Sequence, residues 1–408
     1  MTSYVVRPIT EAERRPARAL LSLTLHGTAA SDEVWELVGR SWRADRKFGA
    51  FDGDAIVGIT SSMGTHMLVP GGGRIPTAMV DGVGVRADHT RRGLFTRLMR
   101  VQLEDCAARG DVAAALHASE TVIYGRAGYG AATRRVSVRV RAGRGTVRPD
   151  LPASGRMRLL DAEEAVSLVP GLYRSIAPHR PGMIDRPDHW WPADHDRLVG
   201  RDGHLVAVHS SASGTDDGYV VYKTEDARTD AEPERGATVR VRDLHAASPV
   251  VAAELWRYLL GMDLVAEVIA PALPLDDEVE LMLADPRRCA VTGRQDDLWL
   301  RLVDVPAALA ARAYGAGPPV LVDVVDPLLA ANSGRYRISR EGAERVPDSA
   351  GTAGLRLGVD VLAMLYLGDR APSTLAELGR IEVGDPAAPA AADALFGTTR
   401  PPWCGTFF

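Results

Sequence analysis

A mixed α/β fold made of tandem sheets is expected from three observations. Apolar and small residues alternate with the period of half-buried strands over residues 48–59 and 78–85. Strands feed amphipathic helices and return to strands, as in residues 78–85, 94–108 and 112–117, which is the order of a strand, helix, strand unit. The opening of the chain is echoed later by Met157-Arg-Leu-Leu-Asp-Ala-Glu-Glu-Ala, which points to an internal repeat. With 408 residues, 46% of them hydrophobic, the chain has enough apolar material for about two or three domains.

Taken in order, residues 4–7 read as a first strand and Thr10, with Glu13 three residues on, as the start of an apolar helix over 17–25. A second helix is expected over 32–42. Residues 48–59 form a hairpin whose two alternating runs meet at Asp52-Gly53, a favoured two-residue turn. Residues 63–69 continue the sheet, Pro70-Gly-Gly-Gly-Arg turns it back, and residues 133–140 are expected to close it, followed by a linker over 141–155. The second section supplies strands near 219–223 and 238–244, separated by a charged loop, and a helix from Ser248-Pro249 to Leu260. Trp190 and Trp191 either wall a cleft or simply pack. The third section opens with Asp297-Leu-Trp-Leu-Arg-Leu-Val and continues with a helix over 306–314, strands over 320–324 and 336–338, and a helix over 359–366. The expected domains are therefore 1–145, 155–290 and 295–408.

The chemistry concentrates in residues 78–130. The strand ending at Val85 meets a basic glycine turn, His89-Thr-Arg-Arg-Gly, and then a helix. Unpaired N–H groups and the positive end of the helix dipole gather at such a start, and Arg91 and Arg92 add two fixed charges, so a pyrophosphate would be held there. Gly93 permits close approach to the backbone. The next strand runs into Ala118-Ser119-Glu120 and a short helical segment carrying Tyr124, and both strand ends would face one cleft. The second section repeats the topology but not this chemistry, because His245-Ala-Ala-Ser-Pro has neither glycine nor arginine at the turn.

Composition narrows the field. Asp and Glu (53) outnumber Lys and Arg (48), for a net charge of −5, which argues against a nucleic-acid-binding face. Cys106, Cys289 and Cys404 are too widely spaced for a metal site and too few for a disulfide framework, as expected of a cytoplasmic protein without bound metal. The first 25 residues carry charges throughout, and no stretch is long enough to span a bilayer.

The order of a Val-x-Val strand (Val83, Val85) and an arginine- and glycine-bearing turn resembles the GCN5-related N-acetyltransferases. The strings ALHASE and IYGRAGYG, together with LWLR near residue 300, LYLG near 365 and a terminal Phe, narrow the resemblance to the enhanced intracellular survival (Eis) family. That resemblance implies tandem acetyltransferase-like domains, the second without a cofactor site, followed by a sterol-carrier-protein-like α/β domain. It implies acetyl-CoA as co-substrate, held by Val83, Val85, Arg91, Arg92, Gly93, Leu94, Thr96 and Ser119. The turn departs from the family at Thr90 and Phe95. Tyr124 is implied as the general acid, with Tyr129 as rival, and the α-carboxylate of Phe408 as the general base on a tail threaded back into the first domain. The alternative for Phe408 is a ring that merely anchors the tail, and His117, Asp81 and Glu120 are further candidate bases, with a packed core His and a helix cap as the plainer roles of the first and third.

Trp35, Asp81 and Phe407 are the implied acceptor-side residues. Family members acetylate aminoglycosides at several amines or lysine side chains, and assemble as hexamers. Here Phe407 replaces an acidic residue, and Leu25 and His26 stand where the family places an Asp, so fewer carboxylates await a polycation. The expected activity is direct acetyl transfer to a primary amine, with no nucleic-acid or membrane partner. The competing class is a non-catalytic acyl-CoA or lipid binder.

Overall fold

The computed structural model describes residues 4–143, 145–176, 179–226 and 236–408. Their contacts divide the chain into two units, one of Met1–Thr133, Arg180–His189 and Asp296–Phe408, the other of Arg134–His179 and Trp190–Gln295.

In the first unit, β1 (Val5–Pro8), β2 (Lys47–Asp52), β3 (Ala55–Leu68) and β4 (Arg74–Val85) form an antiparallel run, and β5 (Ala113–His117) lies parallel to β4. Helix α1 (Arg14–Thr24) follows a short 3-10 turn, Glu11–Glu13, in which the Glu13 carboxylate accepts from the Thr10 backbone N–H at 2.8 Å. Helix α2 spans Asp32–Val38, shorter than the expected 32–42, with Ser31 Oγ accepting from Val34 N–H at its start. Helix α3 (Leu94–Ala108) connects β4 to β5 and buries Leu94, Leu98, Met99, Leu103 and Cys106, the positions that helical spacing puts on one face. The β2–β3 turn differs by one residue from expectation: Asp52 pairs with Ala55, so the turn residues are Gly53 and Asp54, with Gly53 at φ +57°.

Two strands change places relative to the sequence reading. Residues 133–140 do not close the first sheet. Arg134–Arg141 instead pairs with Val265–Pro274 in the seven-stranded sheet of the second unit. The first sheet is closed by Leu298–Leu302, antiparallel to β5, and then by β6 (Gly130–Ala131). Leu298–Leu302, at the opening of the third section, thus belongs to the first sheet. The two passes of chain meet where Thr133 Oγ1 donates to Asp297 Oδ2 at 3.0 Å and accepts from Leu298 N–H at 2.9 Å.

The second unit repeats the strand, helix, parallel strand order in Ala237–Ala246, Pro249–Leu260 and Val265–Pro274, with Ser248 capping the helix. Trp190 and Trp191 are buried in this unit, with Trp191 edge-on to Tyr173 and His195. Residue 144 of the expected linker and most of the charged loop after Asp226 lie outside the described residues. The third section builds a five-stranded sheet in the order Gly342–Val346, Gly334–Ser339, Val320–Val325, Leu355–Gly358, Glu382–Val383, and its helices Val305–Ala311 and Val359–Tyr366 fall where expected. No helix among the described residues is long and apolar enough to cross a membrane.

Candidate active site

A cavity of about 520 Å³ opens where β4 parts from β5. The parting begins at a bulge. Ser61 pairs with Gly82 but Ser62 with Val80, so Asp81 is an extra residue on β4, and a bulge bends and twists the strand that carries it. Parallel pairing with β5 covers only Thr77–Met79 against Ala113–Ala115. Beyond it, one edge of β4 has no paired strand among the described residues, and alternate backbone N–H and C=O groups point into the gap. Val83, Gly84 and Val85 line it. Gly84 is dictated by α1: a Cβ there would stand 2.1 Å from Thr24 Oγ1. The strand thus lies directly on the helix, and Thr24 and Leu25 reach the cavity wall.

The turn before α3 provides the second wall. Arg91 (φ +61°) and Gly93 (φ +76°) are both left-handed, a backbone path that gathers successive N–H groups into an anion-binding concavity. It opens on the N-terminus of a 15-residue helix. Arg91, Gly93, Leu94 and Thr96 line the cavity; Arg92 does not. Its Nη1 donates to the Tyr4 hydroxyl at 2.6 Å and its Nη2 to the Asp88 carbonyl at 3.0 Å. The Tyr4 hydroxyl also meets His89 Nδ1 at 2.9 Å, and His89 Nε2 lies 2.7 Å from Arg86 Nη2. A guanidinium only donates, so Nε2 accepts and the imidazole proton sits on Nδ1. Arg92 braces the turn from behind while Arg91 faces the ligand side.

Helix α4 (Thr121–Gly125) brings Tyr124 to the third wall, with Ser119 and Glu120 leading into it. The Tyr124 ring is buried edge-on to Phe95, 5.7 Å between centroids, and to Tyr129 at 6.0 Å. Burial raises the Tyr124 pKa above its ordinary value, opposed by a hydrogen bond with Ser119 and aided by the Glu120 charge. Glu120 occupies the N-cap position of α4, yet its side chain makes no capping bond. The Tyr129 hydroxyl is buried without a partner and lies outside the cavity wall, in a packing role.

The tail does return to the first sheet. Arg186 donates from Nε to Thr406 Oγ1 at 3.1 Å and from Nη2 to the Gly405 carbonyl at 2.9 Å. His117, the last residue of β5, has Nε2 2.8 Å from the Thr406 carbonyl and Nδ1 3.1 Å from the Asp297 carbonyl. The rings of Phe407 and Phe408 lie 5.0 and 4.9 Å from the His117 ring. Asp81 accepts from Ser61 Oγ at 2.5 Å, and Trp35 packs edge-on to Trp42, 6.5 Å away, beneath the Arg14 guanidinium. Among the described residues no cluster of metal ligands occurs.

This geometry has known counterparts. Residues 5–132 and 182–302 each match an acetyltransferase (GNAT) domain, and residues 305–405 match a sterol carrier protein domain. An uncharacterized N-acetyltransferase of Streptomyces griseus is 35% identical over the full length of both chains. N-acetyltransferase Eis of Mycobacterium tuberculosis is 32% identical, with 86% of each chain covered. The crystal structure of Eis1 from Mycobacterium abscessus superposes over all of both chains, with a TM-score of 0.87 and 34% identity. The chain belongs to the Eis family of N-acetyltransferases. The GCN5-related N-acetyltransferase of Anabaena variabilis, 20% identical with a TM-score of 0.83 over the whole of both chains, shares the fold.

Within this Eis-family site, Val83, Val85, Arg91, Gly93, Leu94, Thr96, Ser119 and Tyr124 share one cavity, whereas Trp35, Asp81, Arg92, Phe407 and Phe408 are not in its wall. The sequence reading missed Thr24, Arg126 and Leu328, which do line it, and named His89 and Phe95 only as part of the turn, although both line it as well. The alternation of Gly82 and Gly84 against Val83 and Val85 was a usable signal for the approach of α1. Leu328 arrives from the third section, and nothing local to it marks the site.

Proposed function

We propose that this enzyme transfers acetyl from acetyl-CoA directly to a primary amine, with Tyr124 as general acid and the Phe408 α-carboxylate as general base. The observation that carries the reading is the convergence of a left-handed Arg91–Gly93 turn, an unpaired Val83–Val85 edge and a buried Tyr124 on one cavity. The residues present fit a CoA thioester. Arg91 and the α3 N-terminus suit its pyrophosphate, and the free edge of β4 suits the amide-bearing arm.

In this reading the carbon–nitrogen bond forms as the carbon–sulfur bond breaks. The amine proton passes to the Phe408 carboxylate, and the departing sulfur takes the Tyr124 proton. For isolated groups that second transfer is uphill by about 2 kcal/mol. Burial moderates the mismatch, because a thiolate leaving into the same dry cavity becomes more basic as well. Phe95 and Ser119 hold the phenol in place for it.

The test is thiol release from acetyl-CoA against aminoglycosides, alkyl and aryl amines and lysine peptides, comparing the native chain with one extended beyond Phe408. Amine-dependent release that disappears on extension, with acetyl-CoA binding retained, is the expected result. Undiminished turnover in the extended protein would remove Phe408 from the mechanism.

A further inference from the structure

Ile123, Arg126 and Leu328 line the cavity but have no part in the reaction above. One buried guanidinium brings the last two to the same end of it. Arg301 donates from Nε to the Ala127 carbonyl at 2.9 Å and from Nη2 to both oxygens of Asp326 at 2.8 and 2.7 Å, so the chain just past Tyr124 and the loop that opens at Asp326 are bound to a single group. Arg126 precedes the first anchor by one residue, and Leu328 follows the second by two. The loop is fixed in turn: Asp326 Oδ1 accepts from the backbone N–H of Leu328 at 3.0 Å and of Leu329 at 3.1 Å. Ile123 and Leu328 are partly buried against the cluster that contains Met99, Tyr124 and Ala127, and so present apolar surface to the cavity. Arg126 is exposed, and among the described residues its guanidinium has no hydrogen-bond or ion-pair partner, like that of Arg91 and unlike that of Arg92. Glu120, the carboxylate of the same wall, stands at the other end of α4, about 9 Å from Arg126 along the axis at 1.5 Å per residue. The cavity therefore has two separate uncommitted cations, Arg91 on the turn before α3 and Arg126 just past α4, the second with aliphatic side chains beside it.

We infer that Arg126, Leu328 and Ile123 form the subsite for the nucleotide end of CoA, the guanidinium taking the ribose 3′-phosphate and the aliphatic side chains covering a face of the adenine. The inference rests on the reading of the cavity as a CoA-thioester site and adds a specificity to it. CoA presents two anionic groups, a pyrophosphate and a 3′-phosphate. Arg91 and the α3 N-terminus suit the first, which leaves Arg126 for the second. A phosphate monoester carries a charge of about −1.5 to −2 near neutrality, and the planar guanidinium fork meets two of its oxygens at once. A base face laid on Leu328 and Ile123 leaves water for an apolar surface. The third section, which supplies Leu328, thereby becomes part of the cofactor site.

Calorimetric titration of CoA and 3′-dephospho-CoA into the wild type, R126A, R126K and L328A tests this. The wild type is expected to prefer CoA by about tenfold or more; R126A should abolish that preference by losing affinity for CoA alone, and R126K should keep part of it. L328A should weaken both nucleotides by about fivefold and leave 4′-phosphopantetheine, which lacks the adenosine, unaffected. If L328A does not fold, the comparison at the exposed Arg126 decides. Equal losses for the two nucleotides in R126A, or a wild type that binds both alike, overturn the inference while the cavity remains a CoA site. An equal loss for all three ligands in L328A removes Leu328 from the subsite. A wild type that binds neither nucleotide overturns the CoA reading itself, and the inference with it.

Discussion

Each polar side chain around the cavity is set by what it touches. Tyr124 is held by Phe95 and Ser119 and stays protonated beyond the ordinary tyrosine range, because burial disfavours its phenolate. Y124F should therefore lower kcat by about 10²- to 10⁴-fold with acetyl-CoA affinity retained, measured by thiol release and by calorimetric titration. In the native enzyme a decline assigned to loss of the acid form should fall at a pH above 10, on the side to which the shift points. The two adjacent arginines should separate. R91A, which removes the charge facing the cavity, should weaken acetyl-CoA binding by about tenfold or more. R92A should act less on affinity and more on the thermal stability of the turn, since Arg92 is spent on Tyr4 and Asp88. Equal losses of affinity would show that both reach the phosphates. From sequence, Arg91 and Arg92 are indistinguishable; the sign of φ at Arg91 is what turns one inward and one outward.

Elements owe their ends to local chemistry and their partners to distant chain. The start of α1 illustrates the first. Glu13 pairs with Arg7 and accepts from Thr10 N–H, and these contacts, the Arg7 pair foremost, draw its pKa down to about 2 from an ordinary value near 4.5. A carboxylate whose folded pKa is depressed contributes its stability in full above the ordinary value and loses it as pH falls toward the folded one. The group is solvent-accessible, so the contribution is small; E13Q should cost about 0.5–1 kcal/mol near neutrality in a denaturant titration, and the difference from wild type should shrink below the ordinary value and vanish only as pH falls through about 2. This capping pattern was readable in Thr10-x-x-Glu13, as was the α3 start at Gly93. The exchange of Arg134–Arg141 and Leu298–Leu302 between sheets was not, because both segments alternate alike and period-two alternation says that a strand has a buried face but not which neighbour it pairs with.

At the scale of the whole first unit, the third section is tied to the site through buried charge. Arg301, fully buried, donates from Nη2 to both Asp326 oxygens at 2.7 and 2.8 Å, from Nε to the Ala127 carbonyl at 2.9 Å, and from Nη1 to the Leu302 carbonyl at 2.7 Å. The Ala127 carbonyl lies just past the Tyr124 helix, so one guanidinium links the Tyr124 segment, the closing strand and the third sheet. Asn332 adds a bond to Asp326 at 2.8 Å. Removing one partner of such a pair strands the other charge in the core, and D326A should destabilise the unit by about 3–5 kcal/mol in calorimetry or denaturant unfolding. A loss near zero would mean that the Arg301 charge finds other compensation. What the sequence by itself determined are the features made by neighbours along the chain: the strand, turn and helix from residues 78–108, the Tyr124 segment and the capped helices; the terminal aromatics, expected to be covered, leave Phe407 about half exposed. Only the tertiary structure decided which strand closes which sheet, which arginine faces the cavity, where His117 meets the tail, and that Lys47 is buried. Local features follow from dihedral preferences and hydrogen bonds a few residues apart, whereas the others depend on contacts between segments tens to hundreds of residues apart, whose pairing no periodicity encodes.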